Sequence, residues 1–297
     1  MPLPEGFRAQ DFLGFHGRDT LAVAEKITGH VLQKAIVLKE RPALLTLTLN
    51  QADVEYQLEM DDPLLEMGAP EILGLVQHVL GFTQPIAGFE QAYAEHPLLA
   101  AMIAHQAGLR VPVCFSSFEA LTWAIIAQQV SLSAAFSLRR KFIMLADVRH
   151  SSGFYCYPSP AHVVAIPAAT LRLAGISQSK ANTLLKVSEL ALEGHLPLND
   201  WLHTQAPAEL IAATLISIKG IGPWTASYTL LRGYGWLDGS LHGDVAVRRA
   251  IKMLTGAEQL TEKEAEQWLK AFSPWRALLA AHLWAWKSHL LANALND

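Results

Sequence analysis

The chain has 297 residues, 51% of them apolar and 17% charged, with a formal net charge of −4. That length and apolar content allow two domains around a sizeable core and exclude a disordered chain. No apolar run approaches the length of a membrane span, the N-terminus MPLPEGFRAQDFLGFHG has no apolar leader segment, and the two cysteines, Cys114 and Cys156, are too few for a four-thiolate zinc or iron–sulfur site.

The first elements mix strands and helices. A helix is predicted at 19–28 (DTLAVAEKIT) and a strand at 30–38 (HVLQKAIVL). Strict alternation predicts half-buried strands at 44–50 (LLTLTLN) and 54–60 (VEYQLEM), joined by a polar turn. A second helix, 71–82 (EILGLVQHVLGF), is expected to pack with the first on one face of the sheet. From about residue 116 the pattern is helical throughout. A long apolar-periodic stretch spans 118–142, with a break expected near Gln128-Gln129. Helices follow at 177–194, with Ser177 as N-cap, and at 207–218, with Pro207 in the first turn. Further helices are read at 223–235, at 245–256 after Asp244, at 261–272 and at 275–292. The expected fold is mainly α. A small α+β domain with an antiparallel sheet, 1–110, precedes an all-helical domain, 111–297, of two lobes with a cleft between them.

Charge is uneven along the chain. Residues 1–111 hold 7 Lys+Arg against 14 Asp+Glu, and residues 112–297 hold 16 against 13. A basic second part hints at a polyanionic partner. The twelve histidines show no metal-ligand spacing, so no metal held by side chains is expected.

The most informative stretch is LISIKGIGPWTASYTLLRGYG, 215–235. One helix ends near Ile218, Gly220-Ile221-Gly222 turns the chain, and Pro223 opens a second helix. Such a turn exposes unpaired backbone N–H groups at a helix N-terminus, an anion site that needs no charged side chain. Glycines allow a phosphate to approach, and Ile221 can anchor the turn. By itself a G-x-G turn is equally a tight helical hairpin with a glycine cap. Asp244 is by local sequence an N-cap, and Trp224 with Tyr228, four apart on one helix face, fit an ordinary core.

Leu215, Ile218, Gly220-Ile221-Gly222 and Thr225-Ala226 resemble the helix–hairpin–helix motif of the DNA glycosylase superfamily. FEALTWAIIAQQVSLSAA, AGISQSKANTLLKVSELALEGHLP, SPWRALLAAHLWAW and the sheet-bearing N-terminal domain are similar to its alkylpurine, or DNA-3-methyladenine glycosylase II, branch. That resemblance implies a helix–hairpin–helix glycosylase core and a base-excision repair enzyme. The enzyme would hydrolyse the N-glycosidic bond of alkylated purines flipped out of double-stranded DNA. Asp244, twenty residues past Trp224, would be the catalytic carboxylate. Trp224, Tyr228 and Trp284 would line a base pocket whose electron-rich rings attract a cationic base. Gly220, Ile221, Gly222 and Thr225 would bind DNA, with Gln129 as the wedge that fills the gap.

Trp224 stands where lyase-active relatives carry the nucleophilic lysine, so no lyase step is expected. No cofactor is required. The one ion implied is a monovalent cation on hairpin backbone carbonyls. Val245 stands where a tyrosine is familiar in that branch. A monomer residing in the cytoplasm, with the nucleoid if the cell is bacterial, completes the expectation. The same residues leave open a DNA-binding or damage-sensing protein without turnover, or a glycosylase for deaminated or oxidised bases.

Overall fold

The computed structural model describes residues 1–62 and 67–293. Residues 63–66 and 294–297, which the two expected domains include, lie outside the described residues. After α1 (Ala9–His16) comes an antiparallel meander, β1 (Glu25–Thr28), β2 (Val31–Leu38), β3 (Arg41–Leu49) and β4 (Val54–Met60), in the order β1-β2-β3-β4. Leu45, Leu47 and Leu49 point into one core with Phe12 and Leu13 of α1 and with Val76 and Val79 of α2 (Ala69–Val79). This is the face that the alternation predicts. Lys39 and Glu40 close a two-residue β2–β3 turn, both with positive φ, the geometry that matches strand twist.

The helix expected at 19–28 is not formed. Residues 25–28 are instead the edge strand β1, with Glu25 opposite Lys34 and Thr28 opposite Val31. Pairing with β2 satisfies backbone groups that a weak, uncapped helix would have had to satisfy alone, so tertiary context overrides propensity.

Next come α3 (Ile86–Tyr93) and α4 (Ala100–His105), then α5 (Ser117–Ala127) and α6 (Leu132–Ala146), separated at 128–131 as the sequence predicts. Short α7 (Pro160–Val164) and α8 (Ala168–Leu173) lead to α9 (Gln178–Leu192), where Ser177 Oγ accepts from the Lys180 amide. Then α10 (Leu198–His203), α11 (Ala208–Ser217), α12 (Pro223–Tyr234), α13 (Val245–Thr255), α14 (Glu262–Lys270) and α15 (Arg276–Asn293) complete the chain. Pro207 is the N-cap of α11 rather than its first helical residue.

Two helical cores meet at α12. Ala226 and Leu230 face a core with Phe118, Leu121 and Ile125 of α5, while Leu231 faces another with Val247, Ile251 and Leu279. Adjacent residues of one helix thus serve opposite lobes. Ile86, Phe89, Met102 and Val111 belong to the second of these cores. By packing, then, 86–111 is part of a helical lobe, and the expected boundary at 110 falls inside it.

A buried ionic cluster fastens the sheet to the helices. Lys34 Nζ lies 2.6 Å from Glu119 of α5 and 3.2 Å from Glu25, and Arg139 of α6 lies 3.0 Å from Glu119 and 3.1 Å from Glu25. Burial by itself raises the Glu25 carboxyl, but Lys34 and Arg139 outweigh it and hold it well below the ordinary carboxylate range. Removing one partner leaves a charge buried and unpaired, a cost of about 3–5 kcal/mol.

Candidate active site

Gly220 has φ +97, and a Cβ there would sit 2.1 Å from Thr183 Oγ1, so backbone conformation and packing both demand glycine. Gly222 differs: nothing lies within 4 Å of its Cβ position. The hairpin is therefore open to close approach at Gly222 and filled from within at Gly220. Ile221 is buried, as expected of an anchor. Gly222 is the N-cap of α12 and offers no side chain, so no side chain caps the first-turn amides. Thr225, which the motif resemblance implies as a DNA contact, is buried, and its Oγ1 accepts from Gln128 Nε2 at 2.9 Å. The same Gln128 amide donates to the Gly220 carbonyl at 3.0 Å. Lys180 Nζ donates to the carbonyls of Ile126 and Gln128. Gln128 is thus a tether between the 128–131 loop and the hairpin.

Gln129 stands exposed on that loop with φ +53, beside exposed Val130 and Leu132. It lies in the connection between α5 and α6, flanked by these two exposed apolar side chains.

Asp244 caps α13: its Oδ1 accepts from the amides of Ala246 at 2.8 Å and Val247 at 3.0 Å. Two indoles complete its surroundings. Trp284 Nε1 donates to Oδ1 at 3.2 Å, and Trp224 Nε1 donates to Oδ2 at 3.3 Å. Four N–H groups from three helices fix this half-buried carboxylate, which leaves its charge localised and its orientation defined. Sequence spacing brings Trp224 near Asp244 but gives no sign that either tryptophan bonds it.

Trp224 and Tyr228 stack on each other at 5.2 Å with an interplanar angle of 29°, and Tyr228 meets Trp284 at 6.4 Å. The three expected pocket residues are brought together as a contiguous aromatic set. Trp123 Nε1 donates to Tyr228 Oη at 2.9 Å and packs against Phe136. These residues line one cleft of about 1180 Å³ together with Asp244, Val245, Gly222 and Gln129. The cleft also takes in Phe15, Arg18, Trp123 and Arg232, none of which the sequence marked. Phe15 and Arg18 come from the α1 region, so the N-terminal unit helps to build the site. A wider groove of about 1480 Å³, between the β2–β3 turn and α10, contains none of the sequence-identified residues.

No cluster of His, Cys, Asp or Glu fit to hold a metal occurs among the described residues. For a cation on hairpin carbonyls, those of Lys219 and Gly220 already accept from Thr183 Oγ1 and Gln128 Nε2. Each of these oxygens keeps a second lone pair.

A helical hairpin, a fixed carboxylate and an aromatic wall thus share one cleft. The profile of the HhH-GPD superfamily of base excision DNA repair proteins matches residues 122–274, and the chain belongs to that family. It is 31% identical over 188 residues to DNA-3-methyladenine glycosylase 2 of Escherichia coli; the match covers 63% of each chain, less than two thirds of that relative. DNA-3-methyladenine glycosylase of Bacillus subtilis is 24% identical over 289 residues, covering 95% of this chain and 94% of its own. Among solved structures, the 3-methyladenine DNA glycosylase from Archaeoglobus fulgidus superposes with a TM-score of 0.79 at 21% identity over 96% of each chain, a likeness of fold.

Proposed function

We propose that this chain is a monofunctional DNA glycosylase that hydrolyses the N-glycosidic bond of alkylated purines in double-stranded DNA. The observation that carries this reading is Asp244, held by two amides and two indole N–H groups in a cleft beside the hairpin. Glycosidic cleavage develops positive charge on the deoxyribose. A fixed carboxylate stabilises that charge without reorganising. Oδ2 accepts only from Trp224 among the described residues, which leaves it lone pairs to face the sugar or to orient the attacking water. Gly222 and the uncapped first turn of α12 supply backbone donors for a phosphate. Gln129, with Val130 and Leu132, fills the space that the flipped base vacates.

A single hydrolytic step is supported by the state of the amines. Trp224 offers none where a Schiff base would form. Lys34, the one lysine lining the cleft among the described residues, is clamped between Glu25 and Glu119. Burial would lower its pKa, yet the two carboxylates outweigh that and raise it, so the amine stays protonated. We read the protein as a monomer working beside DNA in the cytoplasm without a cofactor. No helix among the described residues is long and apolar enough to cross a membrane.

The decisive experiment measures base release from methylated duplex DNA by the wild type and by Asp244→Asn. Release of 3-methyladenine or 7-methylguanine by the first alone supports the reading. Duplex binding by both without any release means that the hairpin is only a grip and the protein a sensor.

A further inference from the structure

The connection between α5 and α6, residues 128–131, is fixed at both ends. Lys180 Nζ of α9 donates to the carbonyls of Ile126 at 2.8 Å and Gln128 at 2.7 Å, a cation closing the C-terminal end of α5. Ser131 Oγ accepts from the Ala134 amide and caps α6. Gln129 and Val130 remain between these anchors, both exposed and both lining the cleft.

The same segment is tied to the hairpin. The Gln128 amide donates to the Gly220 carbonyl at 3.0 Å and to Thr225 Oγ1 at 2.9 Å. Thr183, also of α9, fills the space beside Gly220, and its Oγ1 lies 3.3 Å from the Lys219 carbonyl. Thus α9, the 128–131 segment and the hairpin brace one another in a closed triangle. Lys180 joins the first to the second, Gln128 the second to the third, and Thr183 the third to the first. Closure removes backbone freedom that a connection held only at its ends would keep. Gln129 shows the effect: its φ of +53 is a left-handed conformation that a non-glycine residue holds only where its surroundings impose it. A segment that had to be ordered during insertion into DNA would add that entropy to the cost of unstacking a base, whereas a preordered one does not.

We propose that Gln128 and Lys180 are positioning residues for base extrusion. By fixing residues 129–130 against the hairpin, they make the seating of a DNA strand at Gly222 and the entry of that segment into the base stack one rigid-body event. This rests on the glycosylase reading above and adds how the grip on the backbone is coupled to the wedge.

The test measures single-turnover release of 7-methylguanine from two duplexes. In one the lesion is paired with cytosine; in the other it faces an abasic site, where no partner base holds it. The proteins are the full-length wild type, Gln128→Met, Lys180→Met and Lys180→Arg, with folding read from their melting temperatures. Gln128→Met removes the donor without changing charge, so its affinity for undamaged duplex should stay within about twofold of wild type. Both methionine variants should release the paired lesion about tenfold or more slowly, the size expected when one or two residues must be ordered on insertion. On the partnerless lesion, which is easier to extrude, they should come within about threefold of wild type. Lys180→Arg keeps donors for both carbonyls and should hold most of the wild-type rate on both duplexes. Equal falls on the two duplexes in folded variants reduce Gln128 and Lys180 to structural support and overturn the proposal; wild-type rates on both overturn it as well. The two methionine variants break the triangle at different points, so a folding failure of one leaves the other to decide. A wild type that releases the base from neither duplex sinks the glycosylase reading itself, and that outcome is distinct from equal falls.

Discussion

Trp284 Nε1 lies 3.2 Å from Asp244 Oδ1, across 40 positions of sequence and between α15 and the start of α13. A tryptophan expected only to stack on a base thus also holds the carboxylate. Arg276, bonded through its guanidinium to Asp238 at 2.8 and 3.0 Å, fixes the start of the helix that carries it. Trp284→Phe keeps the ring and removes the donor. A hydrogen bond to a charged group contributes about 1.5–3 kcal/mol, so excision should slow roughly tenfold to a hundredfold. Near-normal excision by a folded Trp284→Phe protein would leave the indole N–H without a role.

Asp244→Asn separates capping from catalysis. Asn caps a helix about as well as Asp, so the melting temperature should hold within a few degrees. Excision needs the negative charge and should fall at least about a hundredfold, while duplex binding persists. Stability and binding are read from melts and gel shifts of the same preparation. Wild-type turnover in that variant would remove Asp244 from the mechanism.

Borohydride added during turnover should trap no enzyme–DNA adduct. Lys34 is protonated and paired, and Trp224 has no amine. An adduct would reveal another amine nucleophile and a lyase step.

His282 is buried against Gln106, and burial pushes its pKa down to about 3. The unfolded chain takes up this proton near pH 6.5 while the folded chain refuses it. Stability therefore declines as pH falls from about 6.5 toward 3, by about 2 kcal/mol at pH 5 from this group alone. His16, lowered by burial, acts in the same direction. His282→Gln should flatten the drop in melting temperature between pH 7.5 and 5; an unaltered slope would assign the acid sensitivity elsewhere.

Gly220→Ala must place a Cβ on Thr183 Oγ1 at a positive φ and should cost roughly 2–4 kcal/mol. Gly222→Ala meets no atom of the protein, so its melting temperature should stay close to wild type while duplex affinity drops. Equal melting temperatures for the two variants would contradict the division of labour between these glycines.

Local chemistry made much of this legible from sequence. Alternation in 44–50 and 54–60 predicts strands because side chains of a strand alternate faces whatever surrounds it. The turn at 220–222 and the cap at Asp244 are likewise short-range features, and the motif resemblance attaches function to them. What the sequence by itself determined was therefore the helical character, the hairpin, and the capping position of Asp244.

The tertiary structure decided the rest. Residues 25–28 became a strand because β2 offered an open edge, a fact absent from their own periodicity. Thr225 turned inward because Gln128, 97 residues away, reaches it. Phe15 and Arg18 joined the cleft because the Glu25–Lys34–Glu119–Arg139 cluster draws the N-terminal unit against α5 and α6. Contacts between segments distant in sequence leave no periodic trace, since each partner satisfies its local rules equally well without the other. Only closure of the chain brings the two indoles to Asp244.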